Sequence, residues 1–167
     1  MIPEFENLSQ EERDALFAAP IWISILVAGA DGEFDREERR WTDRLVKVKS
    51  FSKPRALNPY YKEVGEHFWT KIESALAELP ADPNRRAEIL NERLAKLNDT
   101  LAKLPQALGA GLYKSWLTIA DEAARASGGF LRIGSISAAE ARWIHLPMLQ
   151  PIAMPQAAEE TPEDAED

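Results

Sequence analysis

The stretch WISILVAGADGEFDREERRW, residues 22–41, contains the pattern that decides the fold. It begins with an apolar run of the kind that forms a buried helix and continues through a short acidic loop. Asp35 and Glu38 then have the spacing of a capping box, in which one side chain caps a new helix and the other bonds back to the cap. The stretch therefore predicts a helix, a loop and a second helix.

A similar pattern occurs near the other end of the chain. WLTIADEAAR, residues 116–125, matches the apolar run in register, and ISAAEARW, residues 136–143, matches the segment from Phe34 to Trp41. Trp22 corresponds to Trp116, and Trp41 corresponds to Trp143. Such self-similarity is typical of a duplicated unit whose apolar face needs a partner, so we expect the two halves to cover each other.

Proline and capping signals divide the chain into helices. Ser9 and Glu12 form a capping box for a first helix, and Pro20 suits the first turn of a second. Leucines spaced three and four residues apart indicate a bundle-facing stripe before Pro105. The predicted helices begin near Ser9, Pro20, Asp35, Asn58, Asp82, Gln106 and Ser137, and they end near Ala19, Gly29, Ser50, Pro80, Pro105, Ala126 and Pro147.

These patterns predict an all-α fold, a single-domain bundle of about seven helices with two pseudo-repeated helix-loop-helix halves. No stretch alternates polar and apolar residues convincingly, as a half-buried strand would. The domain is expected to cover residues 1–152, with the repeat halves at about 15–50 and 112–148 and a helical hairpin, 58–104, between them. Residues 153–167, rich in Ala, Pro and Glu, are expected to form a disordered acidic tail.

Charge and cysteine content exclude several classes of protein. The formal net charge is −8, but the tail carries six of the carboxylates, so the remainder lacks the basic excess of a nucleic-acid binder. The absence of cysteine removes disulfides and thiolate metal sites and suits a reducing cytoplasm. The N-terminal sequence shows no export signal, and the longest apolar run is about half of the ~20 residues that cross a bilayer. We therefore expect a cytoplasmic protein.

The loop DGEFDREE, residues 31–38, concentrates carboxylates. Those of Asp31, Glu33, Asp35 and Glu38 repel one another unless a cation or arginines neutralise them. Their hard oxygen ligands suit Ca²⁺, Mg²⁺ or Mn²⁺ rather than zinc. The loop matches the second half of an EF-hand loop but lacks the first two ligands, and helix capping explains its spacing without any ion. A divalent-cation site and a purely structural cap both stay open.

The segment AGADGEFDREE, residues 28–38, resembles the TerB-like family of helical domains associated with tellurite resistance. In that family an Ala-Asp-Gly turn ends one helix, a capped helix with a downstream Glu follows, and the unit recurs. The resemblance implies a metal-associated module in a stress-response or resistance context, with Glu140 of the second half joining the first-half carboxylates. The second loop departs from the pattern, because RASGG, residues 125–129, replaces Asp-Gly.

Basic side chains follow one side of the helix predicted after the acidic loop. Such a face could bind a partner protein, anionic lipid at a membrane surface, or the chain's own acidic tail. A merely solvated face is the commoner reason for a charge run on a helix. The candidate partner-binding residues are Arg36, Arg40, Arg44 and Lys47.

No combination of residues indicates an enzyme. His67 and His145 are isolated, and the spacing assembles no nucleophile elbow, His-Glu-x-x-His zinc site or paired-carboxylate cleft. The sequence favours a non-enzymatic module that binds a divalent cation through the acidic loop. The alternative is a protein-interaction adaptor with no metal, which uses the basic helix face or the acidic tail. A hydrolase with its metal in the acidic loop is a weaker third alternative.

Overall fold

The computed structural model describes residues 2–29, 55–127 and 141–155 of the chain. Within these ranges the chain is mostly helical and has no β-strand, so the all-α prediction is confirmed. Short 3₁₀ turns occur at Pro3–Phe5 and Arg55–Leu57. The α-helices are α1 (Gln10–Ala28), α2 (Asn58–Gly65), α3 (Phe68–Glu78), α4 (Pro83–Ala95), α5 (Leu97–Leu101) and α6 (Gln106–Ser127).

Helix α1 lies at the centre of the bundle. Helices α2 to α6 all pack against it, and α6 makes the most extensive contact. The sequence explains this position, because every residue from Ile21 to Ala28 except Trp22 is buried. A helix that is apolar nearly all round is stable only when other elements surround it. The apolar run before the acidic loop is therefore the central element of the core.

The predicted break at Pro20 is wrong, because α1 continues through that proline. Proline has no N–H, so it cannot donate to the carbonyl of Leu16 one turn earlier. The hydroxyl of Tyr60 in α2 donates to that carbonyl instead, at 2.7 Å, and the hydroxyl of Ser24 donates to the carbonyl of Pro20 at 2.8 Å. A donor from another helix thus replaces the hydrogen bond that α1 lacks.

The sequence signals predicted where helices begin more accurately than they predicted how far helices extend. The carboxylate of Asp82 accepts a hydrogen bond of 2.8 Å from the backbone N–H of Arg85, and α4 begins there as predicted. The helix predicted from Asn58 to Pro80 is instead divided into α2 and α3. The division lies at His67, whose φ of 54° is left-handed and ends regular helical geometry.

The leucine stripe before Pro105 forms the inner face of α4, α5 and the turn that follows. Residues 58–104, predicted as a hairpin, contribute α2 to α5, and each of these helices packs on α1. Helix α6 matches the sixth predicted helix to within one residue at its end. The buried stripe consists of Leu90, Leu94, Leu97, Leu101 and Leu104.

The seventh helix predicted from Ser137 does not extend through residues 142–149, where the chain forms turns. Pro147 disfavours right-handed helical geometry at the residue before it, so no helix can continue regularly past Leu146. Leu146 has a left-handed φ of 45°. The backbone N–H groups of Leu146 and Leu149 each donate to a carbonyl three residues earlier, at 2.9 Å. The start of that predicted helix lies outside the described residues.

The two halves of the predicted repeat differ where both can be compared. Trp116 in α6 is fully buried, whereas its counterpart Trp22 in α1 is only partly buried. Trp143 is 8 % exposed, and its counterpart Trp41 lies outside the described residues. Helices α1 and α6 do pack together. The duplication and the count of seven helices stay predictions.

Candidate functional site

The site predicted from the sequence lies in two segments, 30–54 and 128–140, that are outside the described residues. The structure describes how the chain enters the first segment, at the end of α1. The predicted cation ligands there are Asp31, Glu33, Asp35 and Glu38, with Glu140 in the second segment, and the predicted partner-binding residues are Arg36, Arg40, Arg44 and Lys47.

Helix α1 ends beside a buried arginine, immediately before the acidic loop. Gly29 follows the last residue of α1, and its carbonyl accepts a hydrogen bond of 2.8 Å from Nη2 of Arg86 in α4. Arg86 is only 8 % exposed. A Cβ at position 29 would lie 3.4 Å from that nitrogen, in van der Waals contact with the guanidinium. The chain therefore leaves α1 from a fixed point, two residues before Asp31.

Arg86 also sets the electrostatics at this end of α1. The last carbonyls of a helix carry partial negative charge, which a nearby cation stabilises. Sequence reasoning missed Arg86 although a signal was present. Arg86 stands four residues before Leu90, on the same buried face of α4. An arginine at the head of an apolar stripe indicates a buried acceptor.

An open groove runs along the exposed side of α1, between α3 on one side and α4 with α5 on the other. Its floor includes Asp14, Ala18 and Trp22, each one turn apart on α1. The two halves of the groove, about 510 and 1050 Å³, meet where the guanidinium of Arg93 lies 5.7 Å from the centre of the Trp22 ring. Acidic side chains on α1 face basic side chains on α4 and the turn after α5, so the charges of the lining nearly balance.

Glu12 links the start of α1 to the turn between α5 and α6. Its carboxylate accepts hydrogen bonds from the backbone N–H of Ser9 and from the ammonium group of Lys103. The hydrogen bond from Lys103, and then that from Ser9, lowers the pKa of Glu12 below its ordinary value. The ionised carboxylate therefore completes a capping box and an ion pair at once.

Buried side chains join α1, α2 and α6 through hydrogen bonds inside the core. Nε1 of Trp116 donates to the hydroxyl of Tyr60 at 3.1 Å, and that hydroxyl donates to the carbonyl of Leu16. The hydroxyl of Tyr61 shares a hydrogen bond with that of Ser115. Burial raises the pKa of both tyrosines well above the ordinary value. These hydroxyls therefore stay neutral and connect helices rather than exchange protons.

Residues 141–153, which we name the C-terminal strap, cross the outer side of α5. The amide of Asn98 in α5 binds two backbone groups of the strap. Its Nδ2 donates to the carbonyl of Met148 at 2.9 Å, and its Oδ1 accepts from the N–H of Gln150 at 2.8 Å. Nothing in the sequence pattern marked Asn98, because a single amide in a helix has no characteristic spacing.

Among the described residues, no three His, Asp or Glu side chains are grouped so that they could bind a metal ion. In the same part of the chain, no helix is both long enough and apolar enough to cross a bilayer.

Comparison with protein-family models, with curated proteins and with solved structures finds no match to this chain.

Proposed function

We propose that the chain is a non-enzymatic helical module that binds a divalent cation through the acidic loop between Asp31 and Glu38. The TerB-like resemblance of that loop suggests a stress-response or resistance context. The observation that carries the proposal is the end of α1. Its Gly29 carbonyl is bound by the buried Arg86, which gives the loop a rigid starting point. Ligands that begin from a fixed element lose less conformational entropy when they close around an ion.

The proposal also has an electrostatic basis. The partial negative charge at the end of α1 adds to the carboxylates that follow it. One guanidinium offsets part of this negative charge, and a divalent cation would offset the rest. Oxygen ligands of this kind favour Ca²⁺, Mg²⁺ or Mn²⁺.

Calorimetric titration of the full chain with each of these three cations tests the proposal. We expect the wild type to bind at least one of them in the micromolar range, on the order of 8 kcal/mol of binding free energy. The double variant Asp31→Asn, Asp35→Asn should lose at least tenfold in affinity, roughly the effect of 1.4 kcal/mol.

A matched control removes two carboxylates at the same spacing elsewhere. Glu88 and Glu92 are exposed on α4, and Glu88→Gln, Glu92→Gln should leave the affinity unchanged. Equal loss in both double variants would show that net charge alone attracts the cation and would contradict a site in the loop.

The alternative is a protein-interaction adaptor with no metal. The observation that favours it is again Arg86, because a buried guanidinium already supplies positive charge where the acidic loop begins. If none of the three cations binds the wild type below millimolar concentration, the cation proposal fails and the adaptor is favoured.

A further inference from the structure

One side of helix α1 is left open by its neighbours. Helices α3 and α4 both pack against α1 but make little contact with each other. The groove described above lies between them, and its floor includes the half-buried Ala15, Ala18 and Trp22. From Ser9 to Trp22 the floor measures about 20 Å, which is the length of a helix of ~14 residues.

The floor of the groove suits a helical occupant. Ala15 and Ala18 have short side chains, so a second helix can approach the axis of α1 to the ~8 Å lower limit of helix packing. The partly buried ring of Trp22 lies where the two halves of the groove meet, and tryptophan is enriched among the hot spots of protein interfaces. An amphipathic helix in an apolar groove is a common mode of recognition.

The two walls of the groove differ in charge. On the wall formed by α4, α5 and the turn after α5, three of the four charged side chains are basic. The opposite wall, from α2 to α3, has two glutamates, one lysine and one histidine. The charged members are Arg93, Lys96, Asp99 and Lys103 on the first wall and Glu63, His67, Lys71 and Glu78 on the second. The first wall is therefore net positive, and the second, with its histidine neutral, is net negative.

Two cations of the basic wall have no carboxylate of the described residues within salt-bridge distance. Lys103 binds Glu12, whereas Arg93 and Lys96 form no such pair in this part of the chain. Arg93 lies instead over the ring of Trp22. Because these two cations are three residues apart in the sequence, they lie one helical turn apart beside the floor. Two carboxylates one turn apart on an occupant helix match this spacing.

We propose that the groove along α1 binds an acidic amphipathic helix of a partner protein. The apolar face of that helix would cover Ala18 and Trp22, and two carboxylates along one of its edges would pair with Arg93 and Lys96. The proposal rests on the adaptor alternative, to which it adds the binding surface and the chemistry of the partner. It does not depend on a cation.

The charge pattern favours this occupant over an anionic membrane or a nucleic acid. Either of these would meet Glu11 and Asp14 on the floor and Glu78 on the far wall, whose carboxylates repel it. A helix can carry its carboxylates along one edge only, so it is attracted by the basic wall without that repulsion. A second copy of the chain is the remaining occupant, and the oligomeric state tests it.

Fluorescence anisotropy of a labelled synthetic helix, titrated with the full chain, tests the proposal. The probe has about 14 residues, to match the groove. It has leucines three and four residues apart, alanine and glutamine elsewhere, and two glutamates one turn apart beside the leucine face. We expect micromolar binding of this acidic probe. A neutral probe, with glutamine in place of both glutamates, should bind at least about tenfold more weakly.

Substitutions at the basic wall locate the interaction. Arg93→Gln with Lys96→Gln should weaken binding of the acidic probe at least about tenfold and change binding of the neutral probe little. The matched control, Lys62→Gln with Lys114→Gln, removes two exposed cations outside the groove and should keep the affinity. Equal loss in both double variants would show that net charge alone attracts the probe and would overturn the proposal.

A substitution on the floor tests the groove itself. Ala18→Gln places a longer side chain in the groove and should weaken binding of the acidic probe at least about tenfold. Ala77→Gln, at an exposed position of α3 outside the groove, should not. Circular dichroism establishes that each variant keeps its helices. Unchanged binding in Ala18→Gln, or no binding of the acidic probe to the wild type below millimolar concentration, would contradict the proposal.

Other occupants are tested with the same variants. Concentration-dependent dimerisation of the wild type that Ala18→Gln abolishes would assign the groove to a second copy of the chain. Binding of phosphatidylserine vesicles that Arg93→Gln with Lys96→Gln abolishes would assign it to a membrane. Either result would overturn the proposal. Probe titrations with a chelator and with Ca²⁺ should agree, so failure here is distinguishable from failure of the cation site.

Discussion

At the carbonyl of Leu16, the hydroxyl of Tyr60 replaces the amide N–H that Pro20 cannot supply. The same hydroxyl accepts from Trp116, so one oxygen satisfies two buried groups on two helices. Neither role could be predicted from the sequence, because the pattern around a tyrosine is the same whether or not its hydroxyl is bonded. Arg86 is the contrasting residue, since a charge inside an apolar stripe is visible without coordinates.

Removal of the Tyr60 hydroxyl tests this arrangement. Tyr60→Phe should lower the free energy of unfolding by about 2–6 kcal/mol, because the Leu16 carbonyl and the Trp116 N–H each lose a partner at ~1–3 kcal/mol. Pro20→Ala restores an N–H that can bond to the carbonyl of Leu16. Its effect on the free energy of unfolding should therefore be more stabilising by about 1 kcal/mol in the Tyr60→Phe background than in the wild type.

Chemical denaturation of both single variants and the double variant measures this coupling. Tyr113→Phe, at a partly exposed position of α6, is the control and should have little effect. Strict additivity of the two substitutions would show that Tyr60 and Pro20 do not share the carbonyl.

Among the described helices, local signals predicted the starts of α1, α2, α4 and α6, whereas the predicted start at Pro20 was wrong. Asp82 caps α4 as its spacing predicts, because a side-chain cap needs only neighbouring residues. The continuity of α1 through Pro20 depends on a hydroxyl from α2, and the sequence pattern carried no signal for the left-handed His67 that divides the next predicted helix. The cation-site residues could be proposed from the sequence, but their geometry could not, because spacing alone does not separate a capping box from an ion site.

The link between α1 and the α5–α6 turn should depend on pH. The folded pKa of Glu12 is lowered, so its contribution to stability is present above the unfolded pKa and is lost as the pH falls through the folded pKa. Glu12→Gln should therefore lower the thermal midpoint at neutral pH. The midpoints of variant and wild type should converge in acid.

Thermal unfolding across this acid range measures the convergence. Glu11→Gln changes the adjacent exposed carboxylate and should leave the midpoint nearly unchanged at all pH values. A constant difference between Glu12→Gln and the wild type at every pH would contradict the ionic role of Glu12.

The molecule as a whole has two neutral tyrosines in its core, and this makes its stability sensitive to alkali. Burial raises the folded pKa of Tyr60 and Tyr61, so their stabilising effect is complete below the unfolded tyrosine pKa of about 10 and is lost as the pH rises above it. We expect cooperative unfolding in that range.

Absorbance of tyrosinate and circular dichroism, recorded on one sample during an alkaline titration, test this expectation. Ionisation of Tyr60 and Tyr61 should coincide with loss of helix. Variants with Tyr60→Phe or Tyr61→Phe identify each contribution to the absorbance. Complete tyrosine ionisation with intact helices would contradict the burial described here.

The hydrogen bond between Tyr60 and Leu16 has a consequence for the order in which the chain folds. Its two partners are 44 residues apart, so α1 can form early only as two weakly joined helical segments on either side of Pro20. During synthesis the central helix must wait for α2 to emerge before its middle is secured. The element around which the bundle is arranged therefore becomes rigid only after α2 has been made.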